Sequence, residues 1–448
     1  MADINPTTWA TQLATAYTQG TQTQITQQTT LASNTSKALS SLKSALSAFN
    51  STLSSLSTKK TLQANSATVS DGTLGTATAS GSAQAGSYSF FVQQLATAHQ
   101  VRYAGIPSVT ASGAGSLVIN QARGSSFAVD LSTADSDGDS SVSQTELARA
   151  INSAANSTVS ASVVTVSGTS YLTLTAKDTG ASGAITLDTS GVSDGSLVTA
   201  LSNGTQLTAA QDAIFKIGTE ASGITVQQAS NTYSGIAGLS VTFTKAMASG
   251  TAPLSVAVAT DNNAITEKVQ KFVDAYNTLH SKLEELTASN ADSSARGVFS
   301  SDAGVRLLKS NLNSALRKTF GGATLMQLGV EADRYGKLSL DSDKLKDVLA
   351  KDPAVVDDVF GYSTTASSAG LLGAIGTELN AWTGSTSGQI TRRQSIVEKQ
   401  QANLQTRQTR LDAQYDAMYQ RYLQQFTQLQ SLTSQLQNSS GLFSQLPA

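Results

Sequence analysis

Cysteine is absent from all 448 residues, which excludes disulfides, thiolate metal sites and a cysteine nucleophile. It also suits a chain that travels unfolded, because no crosslink can form on the way. Charge is scarce: Asp, Glu, Lys and Arg make up 13% of the residues, against about 25% in an average soluble protein. Ser, Thr, Ala and Gln take their place, so the surface is polar but largely uncharged. A net charge of -2 provides neither a basic field for nucleic acid nor one for an anionic membrane, and both partners are excluded on that ground. No apolar run approaches the roughly 18 residues of a membrane span, so no membrane insertion is expected. The first thirty residues lack the basic start and apolar core of a secretory signal, which implies a soluble chain or export by another route.

Against these absences stand three strong helical stripes. Leu39, Leu42, Leu46, Phe49, Leu53 and Leu56 repeat at alternating spacings of three and four, the seam that keeps one helix face on a partner. A long helix from Thr7 to Ser57, with Gly20 its one weak point, is the simplest reading. Leu404, Leu411, Tyr415, Met418, Tyr422, Leu429, Leu432 and Leu436 occupy corresponding positions near the other end, interrupted only by Gln425, on a helix from about Ser387 to Gln437. Ile265, Val269, Phe272, Tyr276, Leu279, Leu283 and Leu286 form the third stripe, just after the capping candidates Asp261 and Asn262. The outer ends of the terminal helices are almost without charge: Asp3 is the only charged residue before Lys37, and none follows Arg421. Such ends bury too little to offset an ordering cost of about 1 to 2 kcal/mol per residue, and are expected to order on assembly.

Between about Ala67 and Ala259 the period changes from helical to alternating. Strands are expected at Ser87–Val92, Ser116–Gln121, Phe127–Leu131, Val163–Ser167, Tyr171–Thr175, Ala184–Asp188, Ala213–Ile217, Ile224–Gln227 and along the alternating Leu239–Thr244, with helical patches at Gln144–Ala155 and Leu197–Leu201. A mixed region from Gly297 to Ala381 contains a short strand at Gly336–Leu340 and a capped helix at Asp341–Leu349. The fold class is therefore multidomain α+β, with long terminal coiled-coil helices, a helical bundle body and an inserted β-rich head of two lobes. The divisions read as residues 1–36, an N-terminal leg; 37–66, the first bundle helix; 67–259, the head; 260–420, the body; and 421–448, a C-terminal leg.

The most site-like segment is Asp135-Ser-Asp137-Gly-Asp139-Ser-Ser141-Val-Ser143-Gln-Thr-Glu146, which places oxygen donors at positions 1, 3, 5, 7, 9 and 12 of a calcium loop. Ser140 stands at the sixth position, where glycine normally permits the sharp turn, and a strand precedes the loop instead of a helix. A solvated acidic loop is the alternative, and a bound ion there would brace a lobe without catalysing anything. Gly191-Val-Ser193-Asp-Gly195 matches a nucleophile elbow. Its serine needs a histidine, yet the chain has only His99 and His280, each more simply read as structural. Trp9 and Trp382 are read as helix-packing anchors, and Asp341 with Asp343 as a helix cap.

The order and wording of the segments resemble the flagellar hook-associated protein 2 family, the cap at the distal end of the bacterial flagellar filament. The resemblance spans nearly the whole chain and rests on Ala38–Ser57, GSYSFFVQQLATAH from Gly86, TLTAKDTGASGAITL from Thr173, ITEKVQKFVDAYNTL from Ile265, LGVEADRYGKLSLDSDKLKDVLAKDP from Leu328 and the terminal QITRRQSIVEKQ to FTQLQSLTSQL. It departs from the family in its first residues, where the short leader with small residues is not recognisable, and at the acidic loop. The resemblance implies a non-enzymatic homo-oligomer at the flagellar tip, outside the cell, exported by the flagellar type III system and needing no cofactor. It implies flagellin and the hook–filament junction protein as partners, with emerging flagellin guided into place beneath β-rich lobes. Two other functions compete: an adhesin binding host cells or glycans through the head, and a serine hydrolase built on Ser193.

Overall fold

In a computed structural model of the chain, residues 5–57, 61–290, 292, 296–364 and 368–443 are described, the last four through the backbone alone. Asp3 and the last five residues of the C-terminal leg lie outside this set. The structure divides into two compact units, one formed by residues 1–62 and 262–448, the other by residues 63–261.

Helix α1 runs from Pro6 to Ser57 without a break. Pro6 sits in the first turn, where its missing N–H would have no helical acceptor. Gly20 is accommodated within the helix, with no atom near the place a Cβ would take. The leg and the first bundle helix are thus one element, and what changes along it is the seam. The outer half buries Ala10, Ala14, Thr18, Ile25 and Ala32, and the inner half buries the Leu/Phe series from Leu39 to Leu56.

The inserted unit has two lobes, each with its own core. In the first, a five-stranded antiparallel sheet runs in the order Asn65–Val69, Leu254–Thr260, Gly86–Gln94, Ala213–Ile217, Ile224–Gln228. A three-stranded sheet, Thr232–Ile236, Leu239–Phe243 and Gly75–Ala79, completes the lobe. Phe90, Phe215, Phe243 and Tyr233 meet between them, with the Phe215 and Phe243 ring centroids 4.8 Å apart. Alternation explains the arrangement: Leu239, Val241 and Phe243 point inward from one face of their strand.

The second lobe contains a sheet ordered Thr205–Thr208, Ala98–Ala104, Thr169–Thr179, Val159–Val166, and a smaller one ordered Ile185–Asp188, Ser116–Gln121, Ser126–Asp130. Helices α2, Gln144–Ser153, and α3, Gly195–Ser202, cover a core that includes Leu117, Ile119, Ile151, Leu172 and Leu174. Both helices were marked in the sequence by their apolar patches.

The chain then returns to the helical unit. Helix α4, Asn262–Thr287, buries the whole third stripe. Phe272 and Tyr276 lie 6.0 and 6.2 Å, centroid to centroid, from Phe49 of α1, and Phe272 meets Phe360 edge-on at 5.3 Å. Helices α5, Ala303–Leu316; α6, Ser342–Lys351; α7, Val355–Phe360; and α8, Gly370–Thr383, fill the region expected to be mixed. A hairpin of Val330–Ala332 and Leu338–Leu340 lies among them. Helix α9, Gln389–Phe443, returns along α1.

Candidate assembly surface and acidic loop

The α1–α9 pair is antiparallel, since Trp9 stacks near Phe426 at 6.2 Å while Arg407 Nη1 donates to Gln28 Oε1 at 2.7 Å. On α9 the buried residues are Ile390, Val397, Leu404 and Leu411, one per heptad. Leu404 and Leu411 were expected in the seam; Ile390 and Val397 extend it inward. Tyr415, Met418 and Tyr422 are half-buried.

Leu429, Leu432 and Leu436 share the stripe but are 43%, 53% and 62% exposed, in the segment expected to order only on assembly. Trp9, near the described start of α1 at Pro6, lies opposite Phe426, so these leucines lie beyond the described start of α1. The result is an uncharged helix end with a leucine stripe. Trp9 and Tyr17 add half-exposed and exposed aromatic surface on α1.

Polar contacts replace ion pairs between the outer helices. Gln22 and Gln408 exchange side-chain hydrogen bonds, Gln22 Nε2 donating at 3.1 Å and Gln408 Nε2 at 2.8 Å. Further in, a charged clamp takes over. Asp302 caps α5 by accepting from Val305 N at 3.0 Å, and it receives Arg393 of α9 through both guanidinium nitrogens, at 2.5 and 3.1 Å. Arg393 also lies over the buried Trp382 ring at 5.2 Å, so Trp382 is a packing anchor as read. Burial raises the Asp302 carboxyl pKa, but the Arg393 and backbone hydrogen bonds outweigh it and hold the group below its ordinary range. The aspartate ahead of the Val305, Leu308, Leu312 period is a sequence signal for the cap, not for the Arg393 contact.

In the second lobe, Asp135, Asp137 and Asp139 each bring one carboxylate oxygen within 4.8 Å of the others. Asp135 accepts from Gly138 N at 2.7 Å and Ser140 N at 2.9 Å, and Ser140 adopts the left-handed φ of 66° usual for glycine at this position. Ser141 enters a short pairing with Thr110. Glu146 is not brought to the three aspartates. Its Oε1 accepts from Ser136 N at 2.7 Å and its Oε2 from Ser143 N at 2.9 Å, while Ser143 Oγ accepts from Glu146 N in a reciprocal capping box. Those backbone donors, Ser136 first, hold the Glu146 carboxyl down to about 2. Glu146 therefore braces the loop through its own hydrogen bonds.

The other candidates settle into structural roles. Ser193 is exposed, and neither histidine is free to serve it. His99 Nδ1 accepts from Ile185 N at 2.9 Å within its lobe, and His280 is buried in the other unit near Tyr276 and Gly336. Asp341 caps α6, accepting from Asp343 N and Lys344 N at 3.1 and 3.0 Å. No described helix is long and apolar enough to cross a membrane.

Comparison with known proteins agrees with this architecture. Family models for the N-terminus and C-terminus of flagellar hook-associated protein 2 match residues 3–99 and 210–438. The chain belongs to the flagellar hook-associated protein 2 family. A lateral flagellar hook-associated protein 2 of Vibrio parahaemolyticus is 33% identical over 388 residues, 85% of each chain. That of Escherichia coli K12 is 30% identical over 412 residues, 86% of this chain and 84% of its own. The crystal structure of the D1-D2-D3 domains of the Escherichia coli flagellar cap protein FliD superposes with a TM-score of 0.61 at 26% identity. It covers 80% of this chain and 99% of that one. Residues 100–209, which make up nearly all of the second lobe, fall between the two family matches.

Proposed function

We propose that this chain caps the distal end of the flagellar filament as a homo-oligomer and guides flagellin subunits into place as they fold. The observation that carries the reading is the α1–α9 pair, whose outer end is uncharged and leaves Leu429, Leu432 and Leu436 exposed among the described residues. A seam of small residues joined by amide contacts tolerates successive neighbours better than one fixed by ion pairs. Flagellin and the hook–filament junction protein are the partners, and the flagellar type III apparatus is the export route. The test is complementation of a cap-null cell with a chain lacking residues 1–36 and 421–448. Folded heads with no motility are expected, and normal filament growth refutes the mechanism.

Calcium at Asp135, Asp137 and Asp139 is a subsidiary proposal. It predicts that millimolar calcium raises the melting temperature of the second lobe and a chelator reverses the shift; no shift removes calcium from the account. The relatives' names carry no support for an adhesin role of the head.

A further inference from the structure

The two lobes of the inserted unit are joined by chain crossings at residues 95–97 and 209–212, and the turn leading into the short helix Ala181–Gly183 lies against both. The crossings are pinned to each other. Thr97 N donates to Gln211 O at 3.0 Å, Gln211 N returns a bond to Thr97 O at 3.4 Å, and Gln211 Nε2 reaches Leu95 O at 3.2 Å. Asn231 holds Ala96 as a strand neighbour would, accepting from its N–H at 2.7 Å and donating to its carbonyl at 2.9 Å.

Asp212 is the centre of the junction. Its Oδ1 accepts from Ala181 N of the second lobe at 2.8 Å, and its Oδ2 accepts from Gln227 Nε2 of the first lobe at 2.9 Å. Beside it, Gly180 N donates to Thr97 O at 3.1 Å and Thr179 Oγ1 donates to Ala229 O at 2.5 Å. Gly180 has φ 100°, and a Cβ there would lie 2.4 Å from the Ala229 Cβ and 3.0 Å from Asp212 Oδ1. Left-handed backbone and close approach both reserve this position for glycine.

A linker that bends between domains is exposed and crossed by few contacts. This junction, although partly at the surface, is crossed by many contacts, with hydrogen bonds tying the two crossings to each other and to the flanking turn. We propose that Gly180 and Asp212 form a lock that makes the two lobes one rigid body. Any partner touching both lobes then meets a preorganised surface and does not have to order it on binding.

Because the chain has no cysteine, the lock can be tested in the full-length protein with two introduced spin labels, at Thr225→Cys in the first lobe and Thr199→Cys in the second. Both sites are exposed. One narrow interlabel distance distribution is expected in the otherwise unaltered chain. Asp212→Ala and Gly180→Ala should each broaden it by about twofold or more, as released domains do. Asp212→Asn keeps the acceptor for Ala181 N and should restore the narrow distribution. Gly168→Ala is the control for left-handed strain alone, since Gly168 has φ 80° with open space around it. It should leave the width unchanged. If Gly180→Ala unfolds the second lobe by circular dichroism, Asp212→Ala decides alone. A distribution in Asp212→Ala as narrow as the parent's, or a broad one in the parent, overturns the lock.

Discussion

The inner and outer halves of α1 bury their seams in different company. Leu39, Leu42, Leu46, Phe49 and Leu53 are almost wholly enclosed by a bundle, with aromatic neighbours on α4, whereas Ala10, Ala14 and Thr18 face a single helix. A fully buried leucine or phenylalanine contributes about 1.5 to 3 kcal/mol and a methyl group less than about 1. The same helix is therefore anchored at one end and lightly held at the other, which is what a subunit needs if its core must persist while its leg changes partners. Substitutions along the pair should show a gradient of effect.

The steepest loss belongs to the inner end. Phe49→Ala empties a site flanked by Phe272 and Tyr276 and should destabilise the helical unit by about 3 to 5 kcal/mol in a denaturant titration followed by far-UV circular dichroism. A change below about 1 kcal/mol would mean that the inner half is no better anchored than the outer.

Elsewhere in the helical unit, Arg393→Ala leaves Asp302 partly buried without its cation. The expected loss is about 1 to 3 kcal/mol near neutral pH. The pH dependence has a definite sign. The native Asp302 pKa lies below its ordinary value of 3.8, so its stabilisation is complete above that value and fades as the pH falls through the lower native one. In Arg393→Ala this acid-dependent part should shrink, so parent and variant melting temperatures converge as acid is added. Parallel curves would show that Arg393 acts through its stacking on Trp382 and not through the carboxylate.

In the outer half, Ala14→Leu inserts bulk at a fully buried position, and a cost of about 1 to 3 kcal/mol is expected for the pairing of the outer helices. Hydrogen exchange at residues 10–20 reads this locally, and unchanged protection would show that the outer helices do not pack as closely as their burial indicates.

Much of this was legible from residue patterns. The seams at Leu39 to Leu56 and Ile265 to Leu286 are strict in period and lie buried in the structure, and strands such as Ser116–Gln121 and Ala213–Ile217 alternate clearly. Strands Asn65–Val69 and Gly75–Ala79 escaped notice because Ala, Thr and Ser give little contrast between faces. The Leu429 series has the period but not the burial, because periodicity reports which residues share a face, not whether a partner reaches that far. The acidic loop shows the same boundary. Spacing put four carboxylates in one loop, while the capping box that draws Glu146 away depends on where α2 begins. Contacts between distant segments, such as Asp302 with Arg393 and Asp212 with Ala181, leave no local trace.

The smallest stability effect should accompany a large functional one. Leu432 is 53% exposed and lies beyond the described start of α1, so Leu432→Ser should shift the melting of the isolated chain by no more than about 0.5 kcal/mol. If the stripe at Leu429, Leu432 and Leu436 is covered only on assembly, the same change should reduce oligomer mass in solution and motility in a complemented cap-null cell. A stable variant that assembles and swims normally would leave the leucine stripe without a role. The gradient along α1 and α9 would then record only where the bundle ends.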